Sequence, residues 1–482
     1  MGGQDYVFGG FLLNPMDGNS YLAKMYEGWR GDWAFTLPFT AQQGSGTLIF
    51  MGYLFLGKLA RLTGISLILV FHAARIIGAV CLFFELRYFI HLLLPNAENL
   101  GRLAFILVLF GSGLGWIAVL FGVITSDLWV AEAYPFLSSF SNPHFTFGMV
   151  LLIRIFRGFI SPAEKHRRIS AAFFGALLSI VMPFGMVILA TIGGVWWLVT
   201  WKKLHLNEWR VVFSACIPGG LLLIYQFAAV QMDPILSQWN AQNLTLSPSL
   251  PDFLISFSPA LLFTLWGSWR WIRQKSASSL GLILILSWAA AGLGLVYFPF
   301  TLQRRFLFAL FIPFVILAAE GLETLRVKND LARRQVWNGM LIISFMTNAV
   351  VISLAIFGIL SHHPTLFLSR DEAAGLDYIQ KSTPDNAIIL CAPEMGTFVP
   401  AWTGRRVIYG HEYETIDAQK NQELVKSIYS GSIQSNEVLE ILKDKNVQYI
   451  FWGPREKNLG VAIPNLHLKP VYQNATVEIF SR

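Results

Sequence analysis

Between residues 66 and 361 apolar residues run in long blocks, and polar residues are confined to the gaps between them. A helix crosses the hydrocarbon core of a bilayer with about 20 residues, within a range of roughly 17–25. On that measure residues 66–94, 102–123, 211–231, 253–273, 279–299, 304–325 and 338–361 predict spans, and 144–160 a shorter one. The run 167–201 is too long for a single crossing and carries Pro183 and Gly185 near its middle. It predicts two short helices, 168–182 and 185–201, for a total of about ten.

The gaps fix an orientation. Arg154, Arg157, Lys165, Arg167 and Arg168 form one basic cluster, and Lys202, Lys203 and Arg210 a second. Arg270, Arg273 and Lys275 form a third, and Arg326, Lys328, Arg333 and Arg334 a fourth. Lys and Arg mark cytoplasmic loops. All four clusters share that side only if 167–201 crosses twice, and both termini then lie outside. An outer N-terminus with no span before it predicts a further helix upstream of Met1. Residues 47–62, "TLIFMGYLFLGKLARL", are apolar but end in Lys58 and Arg61. They predict an amphipathic helix on the outer leaflet, its basic residues at the headgroups.

After His362 the pattern changes period. "DEAAGLDYIQKSTPDNAIILC" reads as an amphipathic helix, a turn and a buried strand, and "RRVIYG" as a second strand. Residues 416–429 and 433–444 have helical spacing, "VQYIFWG" is a third strand, and "LKPVYQ" with "ATVEIF" suits a terminal hairpin. The expected organisation is an outer loop with an acidic motif and juxtamembrane helix (1–65), a transmembrane domain (66–361) and an extracytoplasmic α/β domain (362–482). The expected fold class is therefore a polytopic α-helical membrane protein with a small C-terminal extracytoplasmic α/β domain, multi-pass in the plasma membrane.

Composition agrees with this and closes other routes. Hydrophobic residues make up 54% of the chain and charged residues 13%, against about 25% charged in soluble domains. The net charge of +7 sits in short clusters between apolar runs, which argues for cytoplasmic loops and against nucleic acid as a partner. Cys81 and Cys216 fall in apolar runs and Cys391 in an expected strand, so no disulfide framework or metal cluster is indicated. Residues 1–14 lack the basic and apolar regions of a signal peptide.

Against this apolar background a few outer polar residues stand out. Asp17, in "NPMDGNSYLAKM", precedes what reads as a helix, so it is either a helix cap or a general base at the membrane surface. In the next outer loop, "TSDLWVAEAYPFLSSFSNPHF", Asp127 could end the preceding span at the headgroups. Glu132 lies among aromatic and small residues, where a lone charge is costly, and is the better site candidate. His144 opens the next span as an interfacial anchor or a binding residue. In "FPFTLQRRFLF" Arg304 and Arg305 sit at an outer span end, against the orientation rule. Either they snorkel to headgroups or they fork a phosphate in the bidentate way particular to Arg. His72 and Arg75 lie inside a span, where buried charge points to function by default, the alternative being a structural pair with Glu85 or a neighbouring helix. In the tail, Glu394, Gly404, Arg405, Arg406, His411, Glu412 and Glu414 could contact a glycan, but turn and strand-end chemistry is the favoured reading.

These stretches, with "SDLWVAEA" and "LQRRFLFALFIPFVILAAEGL", resemble the GT-C superfamily of multi-spanning glycosyltransferases, and the tail resembles that of a bacterial group of this type. The resemblance implies a polyprenyl-phosphate sugar as donor and hexosyl or pentosyl transfer, with inversion, to a lipid, glycan or protein acceptor in cell-envelope glycan biosynthesis. It maps the family's loop Asp onto Asp17 as base, its second acidic position onto Asp127 or Glu132, and its phosphate-binding arginine onto Arg304 or Arg305. Tyr21 and Lys24, one helical turn on, would line the same pocket. A divalent cation, Mg2+ or Mn2+, is left open as cofactor, and Gly18 in place of a second acid weakens that expectation. The competing reading is a lipid-linked-sugar transporter or flippase without catalysis. No internal repeat along the chain supports it.

Overall fold

Every apolar segment folds as helix, though not always as one helix. Leu67–Leu93, Pro143–Ile160, Leu206–Met232, Leu280–Val296 and Asp330–Leu360 fill their expected segments, and 167–201 divides at Met182 into Arg167–Val181 and Pro183–Thr200. Pro183 opens the second of these, where its missing N–H costs nothing. The segment 102–123 is instead two helices, Glu98–Phe110 and Gly115–Leu120. The segment 253–273 is broken as well: Leu250–Phe257 meets its continuation from Ala260 at 83°. Pro259 drives its predecessor Ser258 out of helical geometry, to ψ 149°. The segment 304–325 opens as a 3-10 turn, Gln303–Leu307, and becomes α-helical only from Phe311 to Glu323.

This computed structural model describes residues 3–95, 97–161, 166–202, 206–274, 280–323, 330–460, 463–466 and 468–482. Lys165, Lys203, Lys275, Arg326 and Lys328 of the basic clusters lie outside the described residues. Among those described, five helices are long and apolar enough to cross a membrane alone, or six if the bent pair is one span. The protein is a multi-pass helical membrane protein.

The chain forms two compact units. The first comprises residues 1–71, 226–243 and 356–482, and the second residues 72–225 and 244–355. In the first unit, β1 (Tyr6–Phe8) pairs antiparallel with β2 (Phe367–Ser369), so the N-terminal segment joins the tail. Strands β3 (Ile388–Leu390), β4 (Arg406–Val407), β5 (Tyr449–Trp452), β6 (Lys469–Gln473) and β7 (Glu478–Ser481) form a second sheet in the order β4-β3-β5-β7-β6. Strand β3 runs parallel to β4 and β5, and β7 is antiparallel to β5 and β6. Successive strand side chains point to opposite faces. Ile389 and Phe451 accordingly enter one core with Leu376, Ile379 and Phe398, and Ile388, Leu390, Ile450 and Trp452 enter another with Val425, Ile428 and Leu442. The first of these cores also takes Ala23 and Phe39 from the N-terminal region.

Ala23 belongs to α1 (Pro15–Arg30), which packs against α2 (Met51–Thr63) with Tyr21 stacked on Tyr53 at 4.3 Å between ring centroids. The amphipathic helix expected at 47–62 is α2, and its basic residues have a use the sequence did not reveal. Lys58 donates to the Gly31 carbonyl and Arg61 to the Arg30 carbonyl at 3.0 Å, satisfying groups at the C-terminal end of α1.

In the second unit, charges inside helices find local partners. Arg75 donates to the Phe140 carbonyl at 2.6 Å, and Glu85 pairs with Arg157 at 2.5 Å instead of with Arg75.

Candidate functional site

Two groups of polar side chains correspond to the sequence candidates, one in each unit. In the first unit Asn14, not Asp17, occupies the cap position of α1, in left-handed geometry at φ 48°. Asp17 lies in the first helical turn, where a negative charge suits the helix dipole. Gly18 next to it is required by packing. A Cβ there would sit 2.3 Å from the Phe11 ring, and Phe11 is buried beneath that turn.

Asp17, Ser20 and Lys24 share one face of α1 by their spacing, and a single tail segment meets that face. His411 Nε2 is 3.6 Å from Asp17 Oδ1. Glu414 accepts from Ser20 Oγ at 2.5 Å and from Lys24 Nζ at 2.6 Å. Lys24 is fully buried, donates to Ser20 at 2.6 Å, and is ringed by Tyr21, Phe35 and Phe50 with centroids 5.1, 5.4 and 4.7 Å away. Burial alone would raise the Glu414 carboxyl. The charge of Lys24, with hydrogen bonds from Lys24 and Ser20, outweighs it and holds Glu414 below its ordinary range. The chain reaches this position through a tight crossing of Gly396 and Gly410, where a Cβ on Gly410 would lie 2.3 Å from the Gly396 carbonyl oxygen.

Within this group exposure differs sharply: the Asp17 side chain is 49% exposed, against 4% for His411, 12% for Glu414 and 0% for Lys24. Of the two carboxylates in the group, Asp17 is the one open to solvent. On the same helix, Glu27 is buried and accepts from the Thr36 hydroxyl at 2.6 Å, and burial pushes its carboxyl up to about 7 despite that bond.

In the second unit the loop after Thr125 is held by a buried polar knot. Asp127 is fully buried and accepts from the Gly115 N–H at 2.9 Å, the Thr125 hydroxyl at 2.7 Å and the Ser256 hydroxyl at 3.3 Å. Burial raises its carboxyl above the usual range, against the pull of these bonds. Asp252 accepts from the Ser126 N–H at 2.8 Å and hydroxyl at 2.7 Å, and Tyr134 donates to the Ser256 carbonyl at 2.6 Å. Five residues on, Glu132 lies with the arginines, its Oε1 3.3 Å from Arg305 and 3.9 Å from Arg304 Nε. The Arg304 guanidinium stacks over Trp129 at 4.7 Å, and Arg304 Nε is buried without a hydrogen bond. One carboxylate thus faces two guanidinium groups. His144 packs on Phe145 at 4.0 Å at the start of its helix.

The sequence candidates therefore separate: Asp17, Tyr21 and Lys24 meet in one unit, and Glu132, Arg304 and Arg305 in the other. Ser20 in the first group and Asp252, Ser256 and Tyr134 in the second were not assigned roles from sequence, and His411 and Glu414 were weighed only as possible glycan contacts. Only the polar density of "GHEYET" signalled any of them. Among the described residues no three His, Cys, Asp or Glu side chains converge as the ligands of a divalent ion do. The second carboxylate of the Asp17 group, Glu414, is already paired with a lysine, a donor set that does not suit a divalent cation.

No family model matches the chain, and no curated protein sequence does. Solved structures do. ArnT from Cupriavidus metallidurans, bound to undecaprenyl phosphate, superposes over 98% of this chain and 94% of its own, with TM-score 0.51 and 13% identity. The Archaeoglobus fulgidus oligosaccharyltransferase, tethered with an acceptor peptide containing the NVT sequon, matches over 90% of this chain with TM-score 0.55 and 10% identity. The fold is that of the GT-C glycosyltransferases. This chain spans 65% of the length of the oligosaccharyltransferase, and 40% of the mycobacterial arabinofuranosyltransferase AftD, matched at TM-score 0.51 and 13% identity. The oligosaccharyltransferase has also been solved with Zn and sulfate. With this GT-C fold goes the small mixed sheet at the C-terminus.

Proposed function

We propose that the protein is an inverting glycosyltransferase that takes a hexosyl or pentosyl group from a polyprenyl-phosphate sugar on the extracytoplasmic face. The observation that carries this reading is Asp17, a half-exposed carboxylate on a turn fixed by buried neighbours, within a GT-C fold. Asp17 takes the proton of an acceptor hydroxyl as the oxygen attacks the anomeric carbon from the face opposite the phosphate. The bond from that carbon to the phosphate oxygen breaks, the glycosidic bond forms, and the polyprenyl phosphate departs with the bonding pair. Phosphate is already a good leaving group, so one carboxylate base is enough. Arg304 and Arg305 hold the departing phosphate through their fixed N–H forks, and Glu132 keeps them oriented. Asp127, with its oxygens engaged by the loop, fastens Glu132's segment in place. Tyr21 and Lys24 shape the surroundings of the base, and His144 remains a candidate for contact with the acceptor. The relatives' bound undecaprenyl phosphate, dolichol phosphate and acceptor peptide support this choice of partners.

The test uses membranes holding the protein and a panel of labelled polyprenyl-phosphate sugars. Transfer from one donor to endogenous acceptor is the expected result. Label that crosses the bilayer without being transferred would turn the assignment to a flippase. With the donor known, Arg304→Ala and Arg305→Ala should each weaken its apparent affinity, by about 10-fold or more for a charged hydrogen bond of about 1.5–3 kcal/mol.

A further inference from the structure

Two tail residues three positions apart, His411 and Glu414, meet side chains on two successive turns of α1. Glu414 ties down Ser20 and Lys24, and His411 faces Asp17. The orientation of the imidazole is decided by its other nitrogen, because Nδ1 accepts the Tyr413 backbone N–H at 3.1 Å. A ring nitrogen that accepts carries no proton, so the neutral ring bears its hydrogen on Nε2, the atom turned toward Asp17. The ring is packed beside Phe39 and Tyr413, with centroids at 5.7 and 6.3 Å, and cannot turn away without leaving that bond.

We propose that His411 is a positioning residue for Asp17. It donates from Nε2 to one carboxylate oxygen and leaves the other aimed at the acceptor hydroxyl, while Glu414 fixes the helix turn beneath. This rests on the reading of Asp17 as the base. The 3.6 Å separation closes to a hydrogen bond by a small rotation of the exposed Asp17 side chain when substrate fills the site. The tail domain is then part of the active site and not an appended module. Among the described residues, the ionisable groups beside the pair include Lys24 on α1 and Tyr413 and Glu414 on the tail segment.

The experiment is steady-state transfer by the full chain in membranes, with the labelled donor found above, across pH. His411→Ala should lower kcat about 10- to 100-fold, the scale of a misdirected catalytic group, with donor KM unchanged. Losing a donor to the ionised carboxylate destabilises that form, so the acid limb of the kcat profile should move to higher pH. His411→Gln, whose amide N–H spans a similar reach, should recover most of kcat and the wild-type limb. His411→Asn, too short to reach, should behave as Ala does and replaces it if Ala is not inserted. Wild-type kcat and acid limb in His411→Ala would overturn the proposal. So would equal losses in Ala and Gln with an unmoved limb, since that is the behaviour of a packing residue. Full turnover in Asp17→Asn, by contrast, would mean that the base assignment itself had failed.

Discussion

At the scale of single residues, the Asp17 group sets one exposed carboxylate beside buried charges, and the buried ones carry stability. Lys24 and Glu414 form a pair with almost no solvent access, so removing one partner strands the other. Glu414→Gln or Lys24→Met should cost about 3–5 kcal/mol, measurable as a lowered melting temperature in detergent. Because the Glu414 carboxyl is held below its ordinary range, its contribution is present above about pH 4.5 and lost as pH falls through the lowered value. Glu27 and Glu456 work in the opposite sense, each raised to about 7 by burial. A carboxyl whose folded value is raised favours the fold below its unfolded value, near 4.5, and that advantage disappears as pH rises through 7. Melting temperature should therefore fall between about pH 4.5 and 7, and Glu27→Gln should flatten part of that fall, with Glu456→Gln flattening the remainder.

At the scale of elements, the hydrophobic pattern located the helices but not their interruptions. Length and hydropathy averages pass over "GSGLG" at 111–115 and "SP" at 258–259, where local geometry overrides the apolar run. The tail's main strands and longer helices were legible because the strands alternate faces and the helices keep their own period, whereas its short helices, Phe398–Thr403 among them, were not. β1 was not, since three residues at the N-terminus gain meaning only from β2. The same reason hid the partners of Asp17. The Ser20–Glu414 bond joins residues 394 positions apart, and nothing local in either segment announces it. A close backbone crossing of Gly396 and Gly410 within the tail sets the course of the segment that carries His411 and Glu414, so Gly410→Ala should act at a distance. It should destabilise by about 1–3 kcal/mol through overpacking and lower transfer by displacing His411, although Gly410 itself meets no substrate. A turnover loss no larger than that of an unrelated mutant of equal stability would refute this.

At the scale of the whole molecule, the orientation assigned from the basic clusters makes a direct prediction in a background lacking the three native cysteines. A cysteine at the exposed Lys443 of the tail should react with an impermeant reagent from the outside, and one at the exposed Lys202 only after permeabilisation. The reverse pattern would put Asp17 on the cytoplasmic side. The fold is shared with the GT-C glycosyltransferases, but with likeness near one residue in eight it does not set the chemistry. In the proposed mechanism that depends on one side chain, Asp17. The measurement that decides it is sugar transfer from the labelled donor by membranes containing wild type or Asp17→Asn, compared at equal amounts of inserted protein. A fall of about 10²- to 10⁴-fold, with donor binding retained, is the predicted result. Wild-type transfer by Asp17→Asn would contradict the account.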